Sequence, residues 1–275
     1  MTPLALSASI VTYHSNQALL RRAVASLAVS VLEARKAGLI GTAHLVVVDN
    51  GPGDDRGGIE RALAAWPDDA GPVEIVAGQG NVGYGRANNL ALGRVRSDLH
   101  LVMNPDVELA QDALAAAARS LAAHPEVALL APSVTAEDGS VQYLCKRYPS
   151  VWVLFLRGFA PRPLRERFAR SVHDYEMRDA IGGNFVPGVP LASGCFMVMR
   201  AAALRAAGGF DPRYFMYFED YDLSLRIAAQ GTVAYEPAVR IVHHGGEAAR
   251  KGWRHVGWFV RSAWRFFSRH GWKLA

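Results

Sequence analysis

His44-Leu45-Val46-Val47-Val48-Asp49-Asn50-Gly51-Pro52-Gly53-Asp54-Asp55 is a short β-branched run that stops abruptly in a polar turn. A run of that length, bounded by turn-forming residues, reads as a buried strand. Upstream, residues 6–12 read as another strand. Residues 16–36 read as a helix, because Leu19, Leu20, Ala23, Val24, Leu27 and Val31 recur at helical spacing. Downstream, residues 73–76 predict a third strand, followed by a glycine-rich loop and a helix to about residue 94. Residues 100–103 predict a fourth strand, 112–124 a helix and 127–131 a fifth strand. Short strands alternating with helices imply an α/β fold with a mainly parallel central sheet and helices on both faces. Later, residues 194–199 predict a strand, and 201–207 and 220–230 predict helices. Between residues 139 and 190 the pattern weakens, and the charged, proline-punctuated stretch 157–179 reads as an insertion or mobile segment.

The composition suits such a fold. The chain has 275 residues, 51% of them hydrophobic, so a substantial core is available. The formal charge of +5 is unevenly placed. Arg250, Lys251, Arg254, Arg261, Arg265, Arg269 and Lys273 crowd the C-terminus, with no acid among them. Cys145 and Cys195 lie far apart and form no CxxC, so neither a disulfide framework nor a zinc site is supported. Two such thiols fit a reducing cytoplasm. The first ten residues lack the basic and apolar regions of a signal peptide. No window reaches about 18 uncharged apolar residues, so no transmembrane helix is predicted.

In parallel sheets ligands bind beyond the carboxyl ends of the strands. Three predicted strands end there in polar clusters: Asp49-Asn50, Gly80-Asn81 and Asn104-Pro105-Asp106. Asp49 is placed to accept hydrogen bonds from a base imide or a ribose hydroxyl, although Asp-Asn-Gly also simply turns. Gly78-Gln79-Gly80-Asn81-Val82-Gly83-Tyr84-Gly85 imitates a dinucleotide fingerprint. It follows the third strand rather than the first, and its spacing does not fit that fingerprint. Its glycines still allow close backbone approach to a nucleotide, with Asn88 and Asn89 one turn into the helix. Asp106 is a candidate oxygen ligand for a divalent cation, since Mg²⁺ sites use one or two carboxylates plus phosphates. His243, after the apolar run 239–242, is a candidate metal ligand or a structural histidine.

The chemistry concentrates in residues 208–223, Gly208-Gly209-Phe210-Asp211-Pro212-Arg213-Tyr214-Phe215-Met216-Tyr217-Phe218-Glu219-Asp220-Tyr221-Asp222-Leu223. Two glycines make a turn, aromatics make a wall, and three carboxylates follow within four positions. Adjacent carboxylates repel when both are ionised, so Glu219-Asp220 behind an apolar lead-in points to a cation, a base role or solvent. An acidic first helical turn accounts for the same pattern without chemistry.

Taken in order, these pieces resemble glycosyltransferase family 2, in particular its bacterial rhamnosyltransferase-like branch. The matching residues are Ile10 to Tyr13, Val48-Asp49-Asn50, Gly80 to Asn89, Met103 to Asp106, Ser193 to Met197, Gly208 to Asp222, and His243. They span roughly residues 6–247. The resemblance implies a GT-A fold, a nucleotide-sugar donor, a divalent metal (Mg²⁺ or Mn²⁺) and inversion at the anomeric carbon. It implies that Thr12, Tyr13, Asp49, Asn81, Gly83, Asn88, Asn89, Asn104 and Asp106 line the donor site, and that Asp106 and His243 hold the metal. Asp220 is the implied general base, with Glu219 beside it. Asn104 occupies the first position of the DXD motif, which removes one charge. The branch implies L-rhamnose from dTDP-L-rhamnose and a saccharide or lipid-linked saccharide acceptor in surface polysaccharide (O-antigen-type) assembly. UDP- or GDP-sugars and a non-catalytic glycan-binding role are the alternatives. A dehydrogenase is disfavoured by the misplaced glycine loop, and a nucleotidyltransferase by the residues after the first strand.

The expected organisation is a catalytic domain over residues 1–247, with a nucleotide-binding half to 131 and an acceptor half from 132, followed by a basic aromatic helix over 248–275. At about 100° per residue, Trp253, Val256, Val260, Trp264 and Phe267 share one stripe, and Arg254, Arg261, Arg265 and Arg269 a neighbouring arc. That pairing suits an anionic membrane surface on the cytoplasmic side, or a helix packed on the domain. Nothing else in the chain supports nucleic acid as a partner for that arc, and the oligomeric state is not legible.

Overall fold

The computed structural model describes residues 2–53, 56–245 and 253–275. Asp54, Asp55, Arg250 and Lys251, named in the sequence patterns above, lie outside these residues. The N-terminal half alternates as expected: β1 (Leu4–Thr12), α1 (Gln17–Lys36), β2 (Ile40–Asp49), α2 (Arg56–Leu63), β3 (Val73–Val76), α3 (Tyr84–Leu92) and β4 (Leu99–Met103). Next come β5 (Val107–Leu109), α4 (Ala113–Ala123) and β6 (Val127–Thr135). Asn16 starts α1 by accepting hydrogen bonds from the Ala18 and Leu19 amides.

The C-terminal half contains α5 (Val151–Gly158), α6 (Arg162–Arg167), α7 (Ala169–Tyr175), β7 (Val186–Pro187), β8 (Phe196–Arg200) and α8 (Ala201–Ala206). It ends with α9 (Glu219–Ile227), β9 (Thr232–His243) and α10 (Trp253–His270). One sheet joins both halves in the order β3-β2-β1-β4-β8-β6-β9-β5, and β7 also pairs with β9. Strands β1 to β4 are mutually parallel. Strand β8 is inserted antiparallel between β4 and β6, and β9 returns parallel to β6.

The sheet is covered on both faces. Leu6, Ala8 and Ile10 of β1 pack with α1 and α4, while Val11 packs with Ala87 and Ala91 of α3 on the other side. That alternation is the two-residue period of a strand.

The segment expected to be mobile is instead built in. Val153, Leu154 and Leu156 of α5 and Val172 and Tyr175 of α7 share a cluster with Tyr214, Phe218, Phe266 and Phe267. Helices of six to eight residues offer too few positions for a helical spacing to stand out, and α5 is apolar nearly all round.

The same cluster takes in α10. Its buried face carries Ser262, Phe266 and Phe267, and its end is bolted down by ion pairs. His270 Nε2 lies 2.8 Å from Asp222 Oδ1, and Arg269 lies 2.8 Å from Asp211. Of the predicted apolar stripe, Phe267 is buried, whereas Trp253 (90%) and Trp264 (66%) are largely exposed. The helix therefore packs on the domain and still presents tryptophans to its surroundings.

Candidate active site

Two adjoining clefts open at the carboxyl ends of β1, β2 and β4, where the polar clusters were expected to gather. The larger, about 870 Å³, is lined by Tyr13, Asn50, Asn81, Asn104, Asp106 and residues of α10. The smaller, about 430 Å³, is lined by Gly194, Glu219, Asp220, His243, Arg157 and Tyr175. Tyr84, Asn104 and Met216 line both.

The larger cleft is shaped by strand-end loops tied to one another. Asn50 donates to Asn81 Oδ1 at 3.0 Å and accepts from the Val82 amide. Gln79 donates to the Asp49 carbonyl at 2.6 Å. Asp49 is buried; one carboxylate oxygen accepts from the Gly51 amide and the other has no partner. A buried acceptor without a donor is costly, and Asp49 itself lines neither cleft. Gly83 sits at φ 89°, and a Cβ there would run into the Phe215 carbonyl oxygen. The Tyr84 amide donates to that same oxygen, which sets α3 against the aromatic run.

Five of the nine expected donor residues, Thr12, Asp49, Gly83, Asn88 and Asn89, line neither cleft, and three of them are turned into the fold. Thr12 is buried, with its hydroxyl directed at the Val48 carbonyl and its own carbonyl accepting from Asn50. Asn88 accepts from Ser9 Oγ at 2.7 Å and donates to the Tyr84 carbonyl. Asn89 bonds both the amide and the carbonyl of Phe210. None of the three lines either cleft, and each amide or hydroxyl is used within the fold. The consecutive asparagines clamp α3 rather than face the cleft.

Between the clefts lie Asp106 and His243, with His243 Nε2 3.6 Å from Asp106 Oδ1. Strands β5 and β9 bring them together, pairing Val107 with His243. Gln142 Oε1 lies 2.9 Å from His243 Nδ1. A proton on Nδ1 leaves the Nε2 lone pair facing Asp106, the usual arrangement of a metal-binding histidine. Burial holds the imidazole below its ordinary pKa, against the opposite pull of Asp106. Asp106 Oδ1 is buried without a hydrogen-bond partner. These two groups fit a hard divalent cation whose remaining ligands are phosphate and water.

The carboxylate pair occupies the first turn of α9. Tyr217 (φ 70°) and Phe218 (φ 64°) precede it, two consecutive non-glycine residues in the left-handed region. Each such residue costs about 1–2 kcal/mol. The Phe218 ring packs at 5.3 Å from both Phe259 and Phe266 of α10, which holds the turn.

Asp220 Oδ2 accepts from the Gly194 amide at 2.9 Å, and Oδ1 accepts from Tyr221. A Cβ at Gly194 would lie 3.1 Å from Asp220 Cβ and crowd the carboxylate's side chain. A helix N-terminus stabilises carboxylates, yet burial wins here. It raises the Asp220 pKa despite those hydrogen bonds. Glu219 is only 6% exposed and has one unpartnered oxygen. Burial first, then the Asp220 charge, pushes Glu219 up to about 8. Both carboxyls of the pair are thus held above their ordinary range, chiefly by burial.

Several cleft residues carried no local signal. Tyr84 donates to the Gly194 carbonyl at 2.6 Å, and Tyr175 and Tyr221 share a hydrogen bond at 2.8 Å. Gln142 sits where the pattern weakens, and His255 and Trp258 close the larger cleft from α10. Only the approach of distant elements gives these residues a place in the site.

Residues 7–206 match the family model for glycosyl transferase family 2. The N-acetylglucosaminyl-diphospho-decaprenol L-rhamnosyltransferase of Mycobacterium tuberculosis is 28% identical over 243 residues, covering 83% of this chain and 76% of that one. Rhamnosyltransferase WbbL of Escherichia coli K12 is 25% identical over 228 residues, covering 72% and 74%. The crystal structure of GalNAc-T7 with UDP, GalNAc and Mn²⁺ superposes with a TM-score of 0.65 at 14% identity. It covers 97% of this chain, which spans 48% of that one. The likeness establishes a GT-A fold with an inserted antiparallel strand and a C-terminal helix.

Proposed function

Because the chain belongs to glycosyl transferase family 2, we propose that it is an inverting rhamnosyltransferase that moves L-rhamnose from dTDP-L-rhamnose to a saccharide or lipid-linked saccharide acceptor. The observation that carries this reading is the buried Glu219–Asp220 pair, held across a shared wall from the Asp106–His243 pair. The first supplies a base and the second a place for diphosphate charge. The donor occupies the larger cleft, with its base toward the end of β2, where Asp49 is the expected base contact, and its diphosphate toward Asn104 and Asp106. Tyr13, Asn81 and the Gly83 turn shape that cleft, and Thr12, Asn88 and Asn89 position it from behind. The rhamnosyl choice rests on the names of the two relatives, one of which also specifies a diphospho-decaprenol-linked sugar.

The acceptor hydroxyl enters the smaller cleft. Asp220 takes its proton, the oxygen attacks the anomeric carbon opposite the leaving group, and the bond to the diphosphate breaks. A poor nucleophile at neutral pH needs this base, and a raised carboxyl pKa strengthens it. Gly194 and Tyr221 hold the carboxylate in one orientation. Asp106 and His243 would hold Mg²⁺ or Mn²⁺, which when bound neutralises charge on the leaving diphosphate.

No helix among the described residues is long and apolar enough to cross a membrane. The C-terminal basic helix is the element we assign to contact with an anionic membrane on the cytoplasmic side, in O-antigen-type assembly. The deciding experiment offers purified protein dTDP-L-rhamnose, UDP-sugars and GDP-sugars with a saccharide acceptor and Mn²⁺. Release of dTDP with formation of a rhamnosylated product is expected. Turnover confined to another donor would overturn the rhamnosyl assignment and leave the fold untouched.

A further inference from the structure

Behind the donor cleft, α10 and the segment 212–215 enclose a separate cavity of about 290 Å³. Four guanidinium groups line it, from Arg86, Arg213, Arg261 and Arg265. Phe215 and Trp258 form its inner wall, with ring centroids 4.8 Å apart, and Trp258 also lines the donor cleft. The two sites thus stand back to back.

Charge accounting shows a surplus. Arg213 is neutralised by Asp211 at 2.6 Å. Arg86 donates through Nε to the Pro212 carbonyl at 2.5 Å, which fixes the side chain and leaves its terminal nitrogens free of that bond. Among the described residues, Arg261 and Arg265 have no hydrogen-bonded or ion-paired carboxylate. Three uncompensated cations therefore share one small concavity, where they repel unless an anion joins them. Guanidinium groups suit phosphate in particular, through paired N–H donors.

The setting adds direction. On α10, Arg261 and Arg265 lie on one flank of the exposed side, and Val260 and Trp264, both exposed, lie on the other. An apolar strip beside a cationic pocket meets the boundary where headgroup phosphates overlie acyl chains.

We propose that this cavity binds a phosphate ester group outside the donor site. An anionic phospholipid headgroup and a free phosphate ester both present that chemistry, so the experiment has two arms. The first measures co-sedimentation of the full chain with phosphatidylcholine vesicles, with and without phosphatidylglycerol. The second titrates glycerol 3-phosphate by calorimetry. Both compare the parent with the double variant Arg261→Gln/Arg265→Gln. Each cation near an anionic surface contributes enough that losing two weakens vesicle partitioning about 30-fold.

The lipid source predicts that this loss appears with phosphatidylglycerol vesicles, and the free source that it appears with glycerol 3-phosphate. In either case added salt weakens binding, and donor affinity by thermal shift stays at the parent's value. The inference fails if the parent ignores both probes, or if the double variant binds them as the parent does. Should the double variant not fold, Arg261→Gln alone, at an exposed position, carries the same comparison with a drop of about 5-fold.

Discussion

Glu219→Gln separates the two members of the carboxylate pair. In the parent, burial and the Asp220 charge displace the Glu219 carboxyl from its ordinary 4.5 to about 8. A carboxyl raised in the folded state holds its proton where the unfolded chain has lost it. The folded state then binds more protons between about pH 4.5 and 8, so stability falls as pH rises through that window. The displacement corresponds to roughly 4–5 kcal/mol between the two limits, or about 10 °C in melting temperature for a chain of this size.

Glutamine keeps the shape and cannot ionise. The melting temperature of Glu219→Gln minus that of the parent should therefore climb by several degrees from pH 5 to pH 9, measured by circular dichroism. The catalytic consequence is different. With Asp220 as the base, turnover should remain within about 10-fold of the parent. A melting-temperature difference that is flat with pH would refute the buried-acid argument. Loss of turnover comparable to that of an Asp220 variant would move the base to Glu219.

Asp220→Asn should retain donor affinity and lower turnover at least ~100-fold, checked by calorimetry alongside product release. Chelator should abolish activity and added Mg²⁺ or Mn²⁺ restore it, while Asp106→Asn and His243→Ala each weaken Mn²⁺ binding followed by electron paramagnetic resonance. Gly83→Ala should cost about 2–4 kcal/mol in urea unfolding, since it combines a left-handed backbone with a collision at the Phe215 carbonyl. Full stability in that variant would mean that α3 shifts freely against the aromatic run.

The pieces legible in the sequence were those written in local periodicity. The β1-α1-β2 alternation, the polar strand ends and the Glu219-Asp220 pair each follow from a few consecutive residues, so the parallel N-terminal half was readable directly and the carboxylate pair stood out before its burial was known. Where periodicity was diluted the reading failed. Helices α5 to α7 are too short to display a helical stripe, α5 being apolar nearly all round and α6 and α7 largely polar, and Tyr214, Phe218, Phe266 and Phe267 from farther along the chain complete their core.

Residue type alone also placed Thr12, Asn88 and Asn89 in the donor cleft. Direction is not encoded in type: an asparagine amide bonds a nucleotide or a neighbouring backbone equally well, and here Ser9 and Phe210 stand nearer. The sequence by itself determined which polar groups gather at the strand ends, because strand direction and alternation are local properties. Tertiary structure alone decided which of them face a cleft and how far the Glu219–Asp220 pair is buried. It also decided that α10 closes the larger cleft while its arginines line a second cavity. Those outcomes depend on contacts between elements tens to hundreds of residues apart, whose geometry no short stretch of chain specifies.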